Sequence, residues 1–202
     1  MKYLIKTIDD KSLLNTCHQF IIQYPLWNTT ILPNTYGYLG FVPNDGFYLH
    51  MTCEESNPLR TYTEMNAPVF KDSAMEFFLQ LSTDHVLSPI YLNFEMNANG
   101  ALLGMYGDKR EKRNLFSYKE IKSCDCQATL HELLWCIELH IPITLLQKVY
   151  GNICLAKGSL LALNFYKVCE NPSAEHYGSF SLIRSSCPNF HLPEYFATGS
   201  VV

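Results

Sequence analysis

The sequence predicts an all-β domain: an antiparallel β-sandwich with jelly-roll or immunoglobulin-like two-sheet architecture and at most one or two short helices. Many short apolar segments are separated by frequent turns, which is typical of sandwiches. Two segments, 75–80 and 91–97, change side-chain character from one residue to the next, as strands with two distinct faces do. No repeat of fixed period is present, so a propeller is not expected.

Length and composition favour one unit. The 202 residues are 48% hydrophobic, which is enough for a full core, and all-β domains commonly reach this size. We therefore predict a single domain over residues 1–202, with residues 1–35 forming an N-terminal extension packed on it. In this extension Ser12–Gln23 has roughly helical spacing and Ser12 could cap a helix, while a short strand at Gln19–Tyr24 is the alternative.

From residue 36 onward the β-strand patterns dominate. Residues 36–42 and 47–53 are predicted to form a hairpin, because Asp45-Gly46 between them suits the positive-φ positions of a tight turn. Pro142 ends a long apolar segment, and one or two helical turns follow it at 143–149. Further strands are predicted at 101–106, 130–141, 158–169 and 177–183, with a loop at 82–89, a solvated basic loop at 109–113 and a proline-rich tail, 188–196, along a sheet edge.

The charge balance argues against some partners. The net charge is −4 at pH 7 and the isoelectric point is about 5.9, so no basic surface is available for nucleic acid. No apolar run is long enough to span a bilayer, and the apolar stretch at the N-terminus is too short for a signal peptide. We expect no membrane partner and a cytoplasmic location, or a periplasmic or secreted one if an upstream segment is removed. The oligomeric state stays open.

The cysteines and histidines do not suggest a metal site. Cys124 and Cys126 have no second pair at a zinc-site spacing, and no dense run of Asp and Asn resembles a calcium loop. His176 and His191 stand apart from any metal-type cluster and are interpreted as structural. No cofactor is therefore expected, with calcium alone left open, and the cysteines are expected to be free thiols. They lie at positions 17, 53, 124, 126, 136, 154, 169 and 187.

One predicted sheet face carries polar groups suited to ligand binding. Asn93, Glu95 and Asn97 lie opposite the apolar side chains of their strand, and Glu76 belongs to the corresponding face of the preceding strand. Phe70 precedes that strand and is placed at the rim of the face. Carboxylates and amides can hydrogen-bond a sugar, and a flat ring can stack on it. The face is thus a candidate carbohydrate site, with a solvated sheet face as the alternative.

Residues that flank this face are further candidates. Lys71 and Asp72 could hydrogen-bond a ligand, although we favour a structural role for Asp72, which can bond the amides of its own loop. Arg60 is interpreted as a structural partner of Glu64, with sugar contact as the alternative. Tyr166 is the best candidate for a polar wall among residues 164–167.

Six short motifs follow one another along the chain: Arg60-Thr61-Tyr62-Thr63-Glu64, Pro68-Val69-Phe70-Lys71-Asp72-Ser73, Glu76-Phe77-Phe78, Asn93-Phe94-Glu95-Met96-Asn97 with Gly100, Asn164-Phe165-Tyr166-Lys167, and the tail from Pro188 to Phe196. In this order they resemble the family 9 carbohydrate-binding modules and, more closely, the stand-alone family-9-like proteins of gut Bacteroidetes. The resemblance covers residues 35–197, and several ordered motifs are more specific than any one of them.

The resemblance implies a β-sandwich related to the DOMON-type folds that binds sugar ends between aromatic rings. Phe70 matches the first stacking aromatic, which is tryptophan in xylanase-attached modules, and Glu76 matches the carboxylate six residues later. The second stacking tryptophan has no clear counterpart, since the nearest aromatic in the matching region is Phe180. Trp27 is interpreted as a core residue, with a place in the site as the alternative. Family modules often carry an arginine where Glu95 stands. With glutamate at this position, the chain lacks the bidentate donor that the arginine would offer to sugar hydroxyls.

The residues and the resemblance are compatible with three functions. The resemblance implies a non-catalytic protein that binds a mono- or oligosaccharide and supports glycan use. Alternatively, Glu76 and Glu95 on neighbouring strands could act as the carboxylate pair of a glycoside hydrolase. We do not favour an enzyme, because no general acid is set in an evidently apolar pocket and such modules do not generally hydrolyse glycans alone. The third function is binding of a non-sugar ligand, such as haem held by a Met/His pair.

Overall fold

The computed structural model of the protein describes residues 1–83 and 86–202. The predicted loop 82–89 contains residues 84 and 85, which lie outside the described residues. In the described ranges the strands are β1 (Lys2–Thr7), β2 (Gln19–Ile21), β3 (Tyr24–Pro25), β4 (Thr35–Val42), β5 (Gly46–Cys53), β6 (Ala74–Thr83), β7 (Val86–Leu87), β8 (Tyr91–Asn97), β9 (Leu102–Lys109), β10 (Lys112–Leu115), β11 (Gln127–Leu130), β12 (Trp135–Pro142), β13 (Leu160–Cys169), β14 (His176–Ser179) and β15 (Ala197–Val201). The α-helices are α1 (Tyr118–Lys122) and α2 (Ile143–Tyr150), and 3₁₀ turns lie at Lys11–Thr16, Val69–Lys71 and Pro193–Tyr195.

The strands form one curled sheet in the order β10-β9-β8-β6-β13-β15-β1-β4-β5-β12-β11. The two halves of this sheet pack on a shared core, which gives the predicted sandwich-like, mostly β architecture. The prediction of purely antiparallel pairing is corrected at β1, which runs parallel to both β15 and β4. Strand direction depends on which distant segments become neighbours, and the alternation of side chains within a strand does not encode it.

The hairpin and the helical excursion are confirmed. β4 and β5 pair antiparallel from Thr35 opposite Cys53 to Val42 opposite Gly46. The positive φ angles of the turn belong to Asn44 (64°) and Gly46 (138°), so glycine is required at the second of these positions. A Cβ on Gly46 would lie 2.0 Å from the carbonyl oxygen of Ile141. The predicted turns after Pro142 form α2, which ends at Gly151.

The N-terminal segment 1–35, which we expected to pack on the domain, supplies strands to the sheet. β1 joins the two halves, and β2 pairs with β4. The helix and strand alternatives for residues 12–23 are both partly confirmed, because a 3₁₀ turn at Lys11–Thr16 precedes β2. Asp10 rather than Ser12 caps that turn, and its side chain accepts from the Ser12 amide.

Two apolar clusters lie on the two faces of β6. Met75, Phe77 and Leu79 point into the main core between the two sheet halves, as the alternation predicts. On the opposite face Phe78 packs with Tyr91 and other aromatic side chains in a second cluster. The outer face of β6, β8 and β13 is therefore covered and largely dry, rather than a solvated sheet surface.

The C-terminal tail provides that cover. Phe190 stacks on Tyr166 with ring centroids 4.1 Å apart, and His191 contacts Phe78 and hydrogen-bonds the hydroxyl of Tyr91 at 3.0 Å. The tail thus lies across the sheet face, and the prediction that it runs along a sheet edge is corrected. Within residues 1–83 and 86–202 no helix is long and apolar enough to cross a membrane.

Candidate functional site

A cavity of about 350 Å³ opens between the outer face of β6 and β8, the β9–β10 hairpin and the C-terminal tail. We call it the carboxyl pocket. Three of the predicted site residues, Phe70, Glu76 and Glu95, lie in its wall. Its lining residues are Trp27, Phe70, Glu76, Glu95, Met105, Arg110, Glu111, Arg113, Val168, Glu170, Tyr177, Pro188, Asn189, Phe190 and His191.

Two buried carboxyl groups form the floor of the pocket. Glu76 on β6 is directly opposite Glu95 on β8, and each residue is 3% exposed. Burial raises the pKa of Glu95 from its usual 4.5 to about 7. Burial, and next the neighbouring Glu95 carboxylate, raise the pKa of Glu76 well above its usual value. The pair therefore retains protons at a pH at which exposed carboxyl groups are ionised.

A chain of hydrogen bonds reaches this pair from β10. The Arg113 guanidinium lies 4.1 Å above the centroid of the Tyr91 ring and donates to Asn93 Oδ1. The Asn93 amide in turn donates to Glu95 Oε1 at 2.9 Å. Among the described residues the other carboxyl oxygen, Glu95 Oε2, has no hydrogen-bond partner although it is buried, and the same holds for Arg113 Nε. The wall of the pocket thus contains buried polar atoms without partners.

Sequence reasoning missed the arginines of this pocket. The run 109–113 was predicted to be a solvated loop, whereas it forms the turn and second strand of the β9–β10 hairpin, with Arg110 and Arg113 in the pocket wall. Composition alone could not show this, because a short basic run broken by an acid is usually exposed.

Aromatic rings form the sides of the pocket. Phe70 lies at the rim, as predicted, in the 3₁₀ turn before β6. Trp27, which was assigned to the core, is half-buried against the second apolar cluster, 5.6 Å from the Phe190 ring, and also lines the pocket. Its indole nitrogen donates to the Ser185 carbonyl at 3.0 Å, which holds the ring in place. Trp27 is therefore the second large ring available to a ligand.

The structure does not bring all the predicted residues to this pocket. Phe180 lies in the main core against Phe20 and Phe165, on the other side of the sheet. Tyr166 is fully buried beneath Phe190 and donates to its carbonyl at 3.3 Å, so it supports the pocket from below. Arg60 is exposed and donates to Asn99 Oδ1 at 2.9 Å, which is a different partner from the expected Glu64.

Of the remaining predicted residues, Lys71 is exposed outside the pocket lining and Asn93 is the central member of the hydrogen-bond chain. Asn97 and Asp72 are buried in a loop network of their own, as we favoured for Asp72. Asp72 Oδ2 accepts from the amides of Thr61 and Tyr62 and from the Asn97 side chain, at 2.8, 2.9 and 2.8 Å.

Replacing Asp72 by alanine should lower the free energy of unfolding by about 2 kcal/mol, because three hydrogen bonds to a buried carboxylate are lost and their donors are left unsatisfied. Chemical denaturation measures the change. Asp9→Ala, at an exposed position, is the control and should change the stability little. A wild-type stability for Asp72→Ala would contradict the structural role.

Another cavity, of about 430 Å³, lies on the outer face of β4, β5 and β12. Its floor includes the stacked rings of Tyr48 and His140, with centroids 4.4 Å apart, and the Tyr48 hydroxyl already donates to Asp45 at 2.6 Å. This cavity is larger, but its carboxylates at Asp125 and Glu138 are exposed. Because the carboxyl pocket alone combines buried ionisable groups with unsatisfied atoms in the described residues, we take it as the candidate site.

The described residues include no group of three His, Cys, Asp or Glu side chains placed to hold a metal ion. His191 lines the carboxyl pocket, and burial together with Arg113 and Arg110 lowers its pKa to about 3, so it is neutral there.

Fold and site together define a class: a sandwich-like β-domain with a preformed pocket on one outer sheet face. The family model of carbohydrate-binding family 9 matches residues 42–201, most of the chain. The chain therefore belongs to carbohydrate-binding family 9, as the ordered motifs indicated. No curated protein matches it.

Solved structures share the fold. A candidate carbohydrate-binding protein from Bacteroides uniformis superposes with a TM-score of 0.87 at 22% identity, over 100% of this chain and 99% of the other. A family 9 carbohydrate-binding module from Caldicellulosiruptor kristjanssonii has been solved with cellotriose and with glucose. Its TM-scores are 0.66 and 0.64, both at 12% identity, over 100% of this chain and 93% and 96% of the module. At these identities the likeness shows the fold.

Proposed function

We propose that this protein binds a mono- or oligosaccharide in the carboxyl pocket, without acting on it, and thereby supports glycan use. The observation that carries the proposal is the pairing of aromatic side walls with a floor of buried, incompletely bonded polar groups in a member of carbohydrate-binding family 9. The structures of the related module with cellotriose and glucose support a sugar as the ligand class. A volume of about 350 Å³ suits a small sugar.

Each wall has a distinct role in this proposal. Phe70 and Trp27 provide the flat apolar surfaces on which the faces of a sugar ring stack. The Glu76 and Glu95 carboxyl groups and the Arg110 guanidinium hydrogen-bond its hydroxyls. Trp27 replaces Phe180 as the second stacking ring, because Phe180 lies in the main core.

Calorimetric titration with glucose, cellotriose and a wider sugar panel tests the proposal. We expect Phe70→Ala and Trp27→Ala each to weaken binding at least about fivefold, since a stacking ring contributes on the order of 1 kcal/mol or more. Tyr118→Ala is the matched control, because Tyr118 is 64% exposed on α1 and outside the pocket lining. This site would be refuted if the wild-type protein bound no sugar of the panel, or if all three variants bound sugar equally well.

One observation favours the hydrolase alternative: Glu76 and Glu95 do lie directly opposite each other on neighbouring strands. We favour binding over hydrolysis because the chain belongs to a carbohydrate-binding family. Under this proposal, incubation with the bound sugars should release no reducing ends, and release that disappears in Glu95→Gln would establish an enzyme instead.

A further inference from the structure

The carboxyl pocket contains more carboxyl groups than guanidinium groups. Glu76, Glu95, Glu111 and Glu170 line it, against two guanidinium groups, Arg110 and Arg113. Glu111 is exposed at the rim, while Glu76 and Glu95 are buried in the floor. An excess of carboxyl groups inside a cavity is unfavourable unless they are protonated or paired with a cation.

The two arginines pair only incompletely with the floor. Arg110 donates to the Pro188 carbonyl at 3.3 Å. Arg113 donates to the Gly107 and Tyr91 carbonyls at 2.8 and 3.1 Å and to the Asn93 side chain, so it reaches Glu95 only through Asn93. In the part of the chain that the structure describes, Glu95 Oε2 is left buried and without a donor.

We propose that the carboxyl pocket selects a sugar that carries a positively charged amino group, with this ammonium group placed against the carboxyl groups of Glu95 and its neighbour Glu76. This inference rests on the proposed sugar binding and adds the charge of the ligand. An ammonium group brings the donors that Glu95 Oε2 lacks and a positive charge that stabilises the ionised form of the Glu95 carboxyl group, whereas a sugar hydroxyl brings one donor and no charge.

The proposal has a proton-linked consequence. Burial raises the pKa of both floor carboxyls, with the charges of Glu170 adding to this and those of Arg110, Arg113 and Lys167 opposing it. The Tyr166 and Tyr91 hydroxyls and His191, which also lie at this face, are neutral at pH 7, because burial raises the pKa of the tyrosines and lowers that of the histidine. An ammonium ligand favours the ionised carboxylate, so its binding releases protons from the pair to the buffer.

The test compares three ligands that differ at one substituent: glucosamine, N-acetylglucosamine and glucose. Calorimetry at pH 7 in two buffers of different ionisation enthalpy gives the affinity and the number of protons released. We expect glucosamine to bind the wild-type protein at least about tenfold more tightly than glucose, with proton release for glucosamine alone. N-acetylglucosamine, which has no charge, should lose this preference.

Variants assign the preference to the floor of the pocket. Glu95→Gln should reduce the ratio of glucosamine affinity to glucose affinity to less than about threefold, and Glu132→Gln, at an exposed position outside the pocket lining, should leave that ratio unchanged. The proton count in the wild-type protein needs no variant, so the test stands even if Glu95→Gln folds poorly. Glucose binding that equals or exceeds glucosamine binding, without proton release, overturns the inference and leaves the proposed function intact. Failure of all three sugars, and of the wider panel, removes both.

Discussion

Replacing Glu55 by leucine is expected to lower the free energy of unfolding by about 3–5 kcal/mol, because it leaves the buried ammonium group of Lys167 without its carboxylate. The Lys167 side chain is 0% exposed, and its Nζ lies 3.5 Å from Glu55 Oε2. The same ammonium donates to Ser73 Oγ at 2.6 Å and to His176 Nε2 at 2.7 Å. We call these four residues the lysine network.

The lysine network joins the two halves of the sheet. Lys167 lies on β13 and Ser73 immediately precedes β6, while Glu55 follows β5 and accepts from the indole of Trp135 on β12 at 3.1 Å. Burial alone would raise the pKa of Glu55, but the Lys167 ammonium and the hydrogen bonds from Ser73 and Trp135 lower it overall. The carboxylate is therefore ionised at neutral pH and compensates the buried lysine across the core.

Chemical denaturation of Glu55→Leu, Lys167→Met and the double variant separates the cost of leaving each charge unpaired from the interaction energy between the two charges. Each single substitution leaves buried polar partners unsatisfied, whereas the double variant removes both charges and should regain at least half of the loss. Glu54→Leu is the matched control, because the adjacent Glu54 is exposed and should matter little. Additive losses in the double variant would show that the two charges do not interact.

Local patterns predicted much of the fold. The faces of β6 and β8 follow from the alternation of their own residues, and the β4–β5 hairpin follows from its turn residues. The parallel pairing of β1 could not be predicted, since its partners β4 and β15 lie far apart in the chain. Such pairing depends on the whole topology rather than on any local segment.

The candidate site was predicted where its residues lie on strands that are close in the chain, and it was missed where they come from distant segments. Glu76 and Glu95 belong to neighbouring strands, so their spacing and facing are local properties that the alternation reveals. Trp27 and Phe190 are brought together from opposite ends of the chain, and no nearby residue marks them as a pair. Lys167, predicted only as one of a group of polar wall residues, is buried in the lysine network, because its three partners come from three separate segments.

Glu95→Gln is expected to stabilise the protein in a pH-dependent way. Burial raises the pKa of Glu95 to about 7 in the folded protein, so between about pH 4.5 and 7 the folded state binds more protons than the unfolded state. The free energy of unfolding therefore contains a contribution from Glu95 that is full below about pH 4.5 and is lost as the pH rises through 7. Removing this titration, and with it the charge that raises the pKa of Glu76, should make the variant gain at least about 2 kcal/mol on the wild type between pH 5 and pH 8.

Other groups titrate in the opposite sense, so the difference between two proteins is the quantity to measure. Burial and Lys167 lower the pKa of His176 to about 4, and the stability that this neutral histidine contributes is lost as the pH falls from 6.5 through 4. This contribution is common to the wild type and Glu95→Gln, and it cancels when their denaturation curves are subtracted at each pH. Glu111→Gln, at the exposed rim of the carboxyl pocket, should give a difference that does not change with pH.

A difference curve for Glu95→Gln that stays flat from pH 5 to pH 8 would show that Glu95 ionises alike in the folded and unfolded chain, contrary to its buried environment. The expected rise has a further meaning. It would show that ionisation of the Glu95 carboxyl group costs the free protein stability as the pH rises through 7. Groups that lower stability in a preformed cavity are characteristic of binding sites, because a ligand supplies the missing partners. Stability and binding data on the same variant thus address one question: whether Glu95 is held there for a ligand.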